Sequence, residues 1–255
     1  MQLSDVLSIQ LYSLRSMENL DAILDAVKAA GITKVETIGS HLDNAVATRA
    51  ALNARGLAAT TGHVNMPALR EKLGATVLAA RTLGIETLYM PSVPGEQRGM
   101  DAAGWTAMGR ELGALAKSLA REGLALGYHN HNWEMDKKDG DLTALDLLFA
   151  AAEGSGLSWE ADVAWLVRGG ADPKAVMSKY KHLVTAAHVK DIAPAGQCLD
   201  EDGWADVGHG VLDWKDLWAF CRGLGARWMV LEHDKPSDAP RFARRSADYV
   251  RAAVA

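Results

Sequence analysis

The chain reads as an α/β protein folded into one (β/α)8, or TIM, barrel. Three observations predict this. Eight short apolar runs of strand length recur along the sequence, amphipathic helical patterns separate them, and 255 residues is a length that such a barrel takes as a single domain, here 1–255. The strand runs are, in order, Val6–Tyr12, Lys34–Ile38, Ala58–His63, Glu86–Pro91, Leu124–His131, Leu157–Val163, Leu183–Lys190 and Trp228–Glu232. Each is apolar or β-branched over the length of a strand buried on both faces. Between them lie patterns such as Glu71…Leu83 and Phe242…Ala253, with apolar residues at helical spacing. Gly31, Gly56, Gly84, Gly123 and Gly225 each fall between a helix and the next strand, where a left-handed cap is wanted. Ser237 and Asp238 before Pro240 predict the start of the last helix. A doubly wound sheet uses the same alternation, but no glycine-rich phosphate loop follows the first strand.

Composition narrows the function. A hydrophobic share of 49% excludes disorder, and two cysteines, Cys198 and Cys221, exclude a disulfide scaffold. With 27 Lys and Arg against 32 Asp and Glu, the formal charge of −5 argues against a nucleic-acid partner, which needs a basic face. No stretch reaches the ~18 apolar residues of a membrane span, and Met1–Asp5 does not resemble a signal peptide. A cytoplasmic setting with a small-molecule partner and no membrane partner is expected, compatible with a homo-oligomer.

Eight His and eight Trp are the unusual entries. Strand side chains alternate between barrel interior and helix layer, so polar residues at strand ends, two apart, point at one mouth. The strand ends offer Gln10 and Tyr12, Glu36, His63, His129 and His131, Glu160 and Asp162, His188 and Lys190, then Glu232 and Asp234; the fourth strand offers little. Burying such groups is costly unless they are paired or ligated. Carboxylates with imidazole suit Mn²⁺, Mg²⁺, Co²⁺ or Zn²⁺, with Mn²⁺ preferred here. Asp162, His188 and Glu232 come from adjacent strands, and the fourth ligand should come from Tyr128–Glu134. Lys190, two residues past His188, is placed to neutralise an enolate or serve as acid; its bland reading is a surface ion pair with Asp191. Trp133, Trp165 and Trp204 read as sugar platforms, whereas Trp105, Trp159, Trp214, Trp218 and Trp228 read as core. His41 and His182 read as surface positions.

These motifs resemble the sugar phosphate isomerase/epimerase superfamily of xylose isomerase-like barrels. That group includes inosose dehydratase-type enzymes, ketose 3-epimerases, hydroxypyruvate isomerase and the endonuclease IV group. The resemblance runs from Leu7–Arg15 through Gly127–Glu134, Glu160–Trp165, Gly169–Pro173, His188–Asp191 and Val207–Trp214 to Val230–Asp234. It implies a metal held by a Glu/Asp/His/Glu quartet, three of which match Asp162, His188 and Glu232. The first ligand departs: the fifth strand carries His129 and His131, and Glu134 is the expected replacement, with either His as competitor. Where ketose epimerases place a substrate-binding His three residues after the Asp, this chain has Trp165. His209 stands where a Glu is expected between glycines.

The resemblance implies proton abstraction next to a carbonyl through an enediolate, hence a metal-dependent sugar isomerase or epimerase. A lyase or dehydratase acting on a keto-sugar, keto-glycoside or inosose is the alternative exit from the same intermediate. His131 is the expected base, with Glu134 as alternative, and Lys190 the acid. Gln10, His63, His129, Trp133 and Trp165 are expected to contact substrate. An endonuclease IV-like nuclease and a non-catalytic barrel subunit are the remaining classes.

Overall fold

The computed structural model describes residues 2–254. Eight parallel strands close on themselves: β1 Leu7–Gln10, β2 Lys34–Thr37, β3 Ala58–His63, β4 Thr87–Met90, β5 Ala125–His129, β6 Ser158–Asp162, β7 Val184–Val189 and β8 Trp228–Leu231. β1 pairs with both β2 and β8, so the ring has no free edge. Every strand falls inside its expected run, ending one or two residues early at seven carboxyl ends. Tyr12, His131, Lys190 and Glu232 accordingly stand just past the ends of their strands.

The alternation of two sorts the side chains. Ile9, Val35, Leu88, Met90, Leu126, Tyr128, Trp159, Val189 and Leu231 face the helices and form the apolar core. The residues between them fill the barrel with polar groups: Ser8, Gln10, Glu36, Thr61, His63, His129, Glu160, Asp162 and His188 are all buried. Gly127 on β5 is required by close approach, since a Cβ there would lie 2.4 Å from the Tyr89 ring and 2.7 Å from Ser158 Oγ. The five capping glycines have φ between +69° and +107°, as the helix–Gly–strand device demands. Asp238 Oδ1 accepts the Arg241 backbone N–H at 2.9 Å, capping the final helix Ala239–Val254.

Two long strand-to-helix loops carry small antiparallel ribbons, Lys137–Asp139 with Leu142–Thr143 and Asp191–Ile192 with Trp204–Ala205. Asp191 does not lie at the surface in an ion pair with Lys190. It is fully buried, and its carboxylate accepts backbone N–H bonds from Ile192, Gly208, Gly210 and Leu212 at 2.9–3.1 Å. One side chain thus folds the loop Val207–Leu212 against β7. His41 is likewise corrected: it is 9% exposed in the short helix Gly39–Asp43, and its Nδ1 accepts the Ile38 N–H at 3.2 Å. No helix among the described residues is long and apolar enough to cross a membrane.

Candidate metal centre

At the carboxyl ends of β5 to β8, one ligand atom each from His129, Asp162, His188 and Glu232 lies within 4.8 Å of every other. Local sequence explains the Asp162 geometry. Asp162 ends β6 and caps the helix Val163–Arg168, so Oδ1 accepts the Trp165 N–H at 2.8 Å. Its Oδ2 is left buried without a hydrogen bond, as is His188 Nδ1. Oδ2 lies 3.9 Å from both His129 Nε2 and His188 Nδ1, and His188 Nδ1 lies 3.0 Å from Glu232 Oε2. Asn130 ties the strands together, accepting from Trp159 Nε1 and Asp162 N at 2.9 and 3.0 Å.

Lys190 is fully buried, with Nζ 3.2 Å from Glu232 Oε2, 3.6 Å from Asp162 Oδ2 and bonded to Asp234. Burial opposes its charge, but Asp234, Glu232 and Asp162 outweigh burial and hold the ammonium well above the usual range. Burial pushes Asp162 up to about 7 against the pull of Lys190, with Glu232 adding to the rise. Burial also holds the imidazoles of His129, at about 4, and His131 below their usual range. The buried carboxyl groups of Glu36, Glu160, Asp162 and Glu232 and the half-buried Asp234 thus share the barrel mouth and interior with the Lys190 ammonium.

The placement differs from expectation at Glu134, Gln10 and His63 and, at the rim, at Trp204. Glu134 is buried, and its oxygens accept the Tyr128 hydroxyl at 2.5 Å and the His131 backbone N–H at 2.8 Å. It stands outside the four-residue group, and the strand-five position in that group is taken by His129. The turn Trp133–Met135 curls Glu134 back toward its own strand. Gln10 and His63, expected at substrate hydroxyls, are drawn inward by carboxylates that need partners. Gln10 Nε2 donates to Glu36 Oε1 at 2.7 Å, and His63 Nε2 lies 2.7 Å from Glu160 Oε2.

The rim is aromatic. His131 stacks on Trp133 at 4.3 Å and 12°, Trp165 lies 5.2 Å from His131, and Trp204 meets Trp165 edge-on at 4.7 Å. Trp133 and Trp165 are half-buried, whereas Trp204, also expected to be a platform, is 1% exposed and packs under them. His131 Nδ1 and Trp165 Nε1 are buried without hydrogen bonds. Arg98 sits over Trp133 at 3.9 Å, a residue from the loop after β4 that strand-end reasoning passed over. His233 turns to the outer side of the strand, against Phe242 and Glu201. His209 is exposed.

A closed parallel barrel with histidines and carboxylates gathered at the carboxyl mouth defines the class. The chain belongs to the xylose isomerase-like TIM barrel family, whose model matches residues 9–253. A search of curated proteins finds no match to it. Its fold is similar to a sugar phosphate isomerase/epimerase from Parabacteroides distasonis ATCC 8503, with a TM-score of 0.80 at 19% identity, covering 98% of this chain and 95% of that one. It is similar to the probable 3-DHS dehydratase of petrobactin synthesis from Bacillus anthracis, with a TM-score of 0.76 at 13% identity, covering 96% and 98%. A family 2 AP endonuclease from Brucella melitensis also shares the fold, with a TM-score of 0.70 at 16% identity, covering 96% and 99%.

Proposed function

We propose that this chain is a divalent-metal-dependent sugar isomerase or epimerase, with His129, Asp162, His188 and Glu232 holding the ion. The observation that carries this reading is the four-residue group at the ends of β5 to β8, with Asp162 Oδ2 and His188 Nδ1 buried and unbonded. Such atoms are costly to bury without a partner, and imidazole with carboxylate is a donor set for Mn²⁺, Co²⁺ or Zn²⁺. A bound ion supplies Lewis acidity toward adjacent carbonyl and hydroxyl oxygens of a substrate.

The chain's own side chains divide the remaining work. His131 is the base: burial keeps its imidazole neutral, Nδ1 is unbonded, and Trp133 holds the ring plane from behind. Glu134 acts through it as a positioning residue, fixing its backbone N–H. Lys190 stays protonated and sits where it offsets negative charge developing on an enediolate. Trp165 offers an apolar face and one unbonded N–H to a sugar.

Incubating the purified protein with Mn²⁺ and a panel of keto-sugars and inososes in D₂O tests the reading. Deuterium at the α-carbon with the substrate skeleton intact is expected. Loss of a β-substituent assigns the lyase exit instead, a reading favoured by Trp165 standing where ketose epimerases have His. Absence of exchange with every member of the panel refutes proton abstraction.

A further inference from the structure

One layer below the rim group, four atoms from four strands close a ring across the barrel. His63 Nε2 lies 2.7 Å from Glu160 Oε2, and that oxygen lies 3.1 Å from His188 Nε2. His188 Nε2 lies 2.9 Å from Glu36 Oε1, which returns to His63 Nε2 at 3.2 Å. His129 Nδ1 approaches the same Glu160 oxygen at 3.2 Å. The His63 and His188 rings face one another within 11° of parallel. His63 is 7% exposed, and the other three ring residues are fully buried.

Hydrogen bonding leaves this ring under-determined. Each Nε2 carries at most one hydrogen, yet each faces two carboxylate oxygens. Glu160 Oε1 is buried with no hydrogen bond at all. Glu36, by contrast, is held from outside the ring, accepting from the Gln10 amide at 2.7 Å and the Thr61 hydroxyl at 2.5 Å. One ligand atom each from His63, Glu160 and His188 lies within 4.8 Å of every other, a span that a Zn²⁺ ion with bonds of about 2 Å can bridge, and Glu36 Oε1 lies beside both imidazoles.

We propose that Glu36, His63, Glu160 and His188 form a second, interior cation site for a Zn²⁺- or Co²⁺-like ion. His188 then joins two ions, presenting Nε2 to the interior one and Nδ1 to the one at the rim. Loading releases the N–H protons of the ring to solvent, since a metal-bound nitrogen carries none. The interior ion lies under the rim group, so its role is to fix the plane of His188 and the carboxylates around it. Gln10 and Thr61 then orient Glu36 as an outer layer orients a ligand.

The test strips the full chain with chelator, reloads it with excess Co²⁺, and counts metal by mass spectrometry alongside the Co²⁺ absorption spectrum. Two ions per chain are expected in the parent. His63→Gln and Glu160→Gln should each hold one, with the remaining ion bound about 10–100-fold more weakly. Circular dichroism identifies any variant that fails to fold; Glu36→Gln, which keeps the shape of the side chain, then serves in its place. Glu232→Gln should keep the interior ion and lose the rim ion. A parent that binds one ion, retained in His63→Gln, overturns the interior site; so does a parent that binds none. One ion lost in His63→Gln but kept in Glu232→Gln supports the interior site while refuting the rim reading, so the two proposals fail separately.

Discussion

Replacing Lys190 by Met removes the one ammonium that faces Glu232, Asp162 and Asp234 while keeping an unbranched side chain in the same space. The Nζ distances of 3.2 and 3.6 Å to Glu232 and Asp162 correspond to about 5 kcal/mol of attraction per contact at an effective dielectric constant of about 20. Desolvation of a fully buried ammonium offsets much of this, and removing one partner of a buried ion pair costs about 3–5 kcal/mol net. Urea unfolding of Lys190→Met at pH 7 in the presence of chelator should therefore show that loss against the parent. Adding Mn²⁺ to about 100 times its dissociation constant should restore about 2.7 kcal/mol, because the ion supplies positive charge to the same carboxylates. A loss below about 1 kcal/mol in chelator would refute the argument that Lys190 holds the mouth together electrostatically.

Asp162→Asn keeps the helix cap through its remaining oxygen but removes the unbonded carboxylate oxygen. Mn²⁺ retention through gel filtration should be abolished while circular dichroism shows the fold kept, with stability in chelator falling by up to about 3 kcal/mol because Lys190 loses one of its three carboxylate partners. Burial lowers His41 from 6.5 to about 4, so its neutral form stabilises the fold above pH 6.5 and that contribution is lost as pH falls toward 4. The parent should lose about 2 kcal/mol between pH 7 and pH 5 relative to His41→Gln; equal pH dependence in both proteins counts against it. Asp191→Asn replaces a pure acceptor by an amide and leaves buried N–H groups of the Val207–Leu212 loop short of partners. Limited proteolysis should cut that loop faster, with about 2–3 kcal/mol lost from stability. Gly127→Ala forces a methyl into the Tyr89 ring and should cost at least about 1–3 kcal/mol in thermal unfolding.

The barrel was legible because its strands are buried on both faces and its helices end in glycine, so period and punctuation agree along the whole chain. The His and carboxylate group at the mouth was legible where its members lie within a strand or next to its end, as at Asp162, His188 and Glu232. It was not legible at Glu134, whose direction depends on one short turn and on a hydroxyl six residues earlier. Gln10 and His63 show the second limit. Strand parity says that a side chain points inward, but only the stagger between strands decides whether it meets solvent or, like these two, the carboxylates of Glu36 and Glu160. Asp191 shows a third, since its partners lie 17 to 21 residues ahead in a loop without periodicity.

The aromatic rim also makes the molecule its own optical reporter. Trp165 and Trp204 lie 4.7 and 4.2 Å from the Lys190 ammonium, and Trp133 lies against His131. Trp105, Trp159 and Trp214 are sealed in the core, where they report the folded state. Emission from the rim indoles should respond to a paramagnetic ion or a sugar arriving at the mouth while the buried indoles hold a constant background. Occupancy of the barrel can thus be titrated by intrinsic fluorescence, with no label.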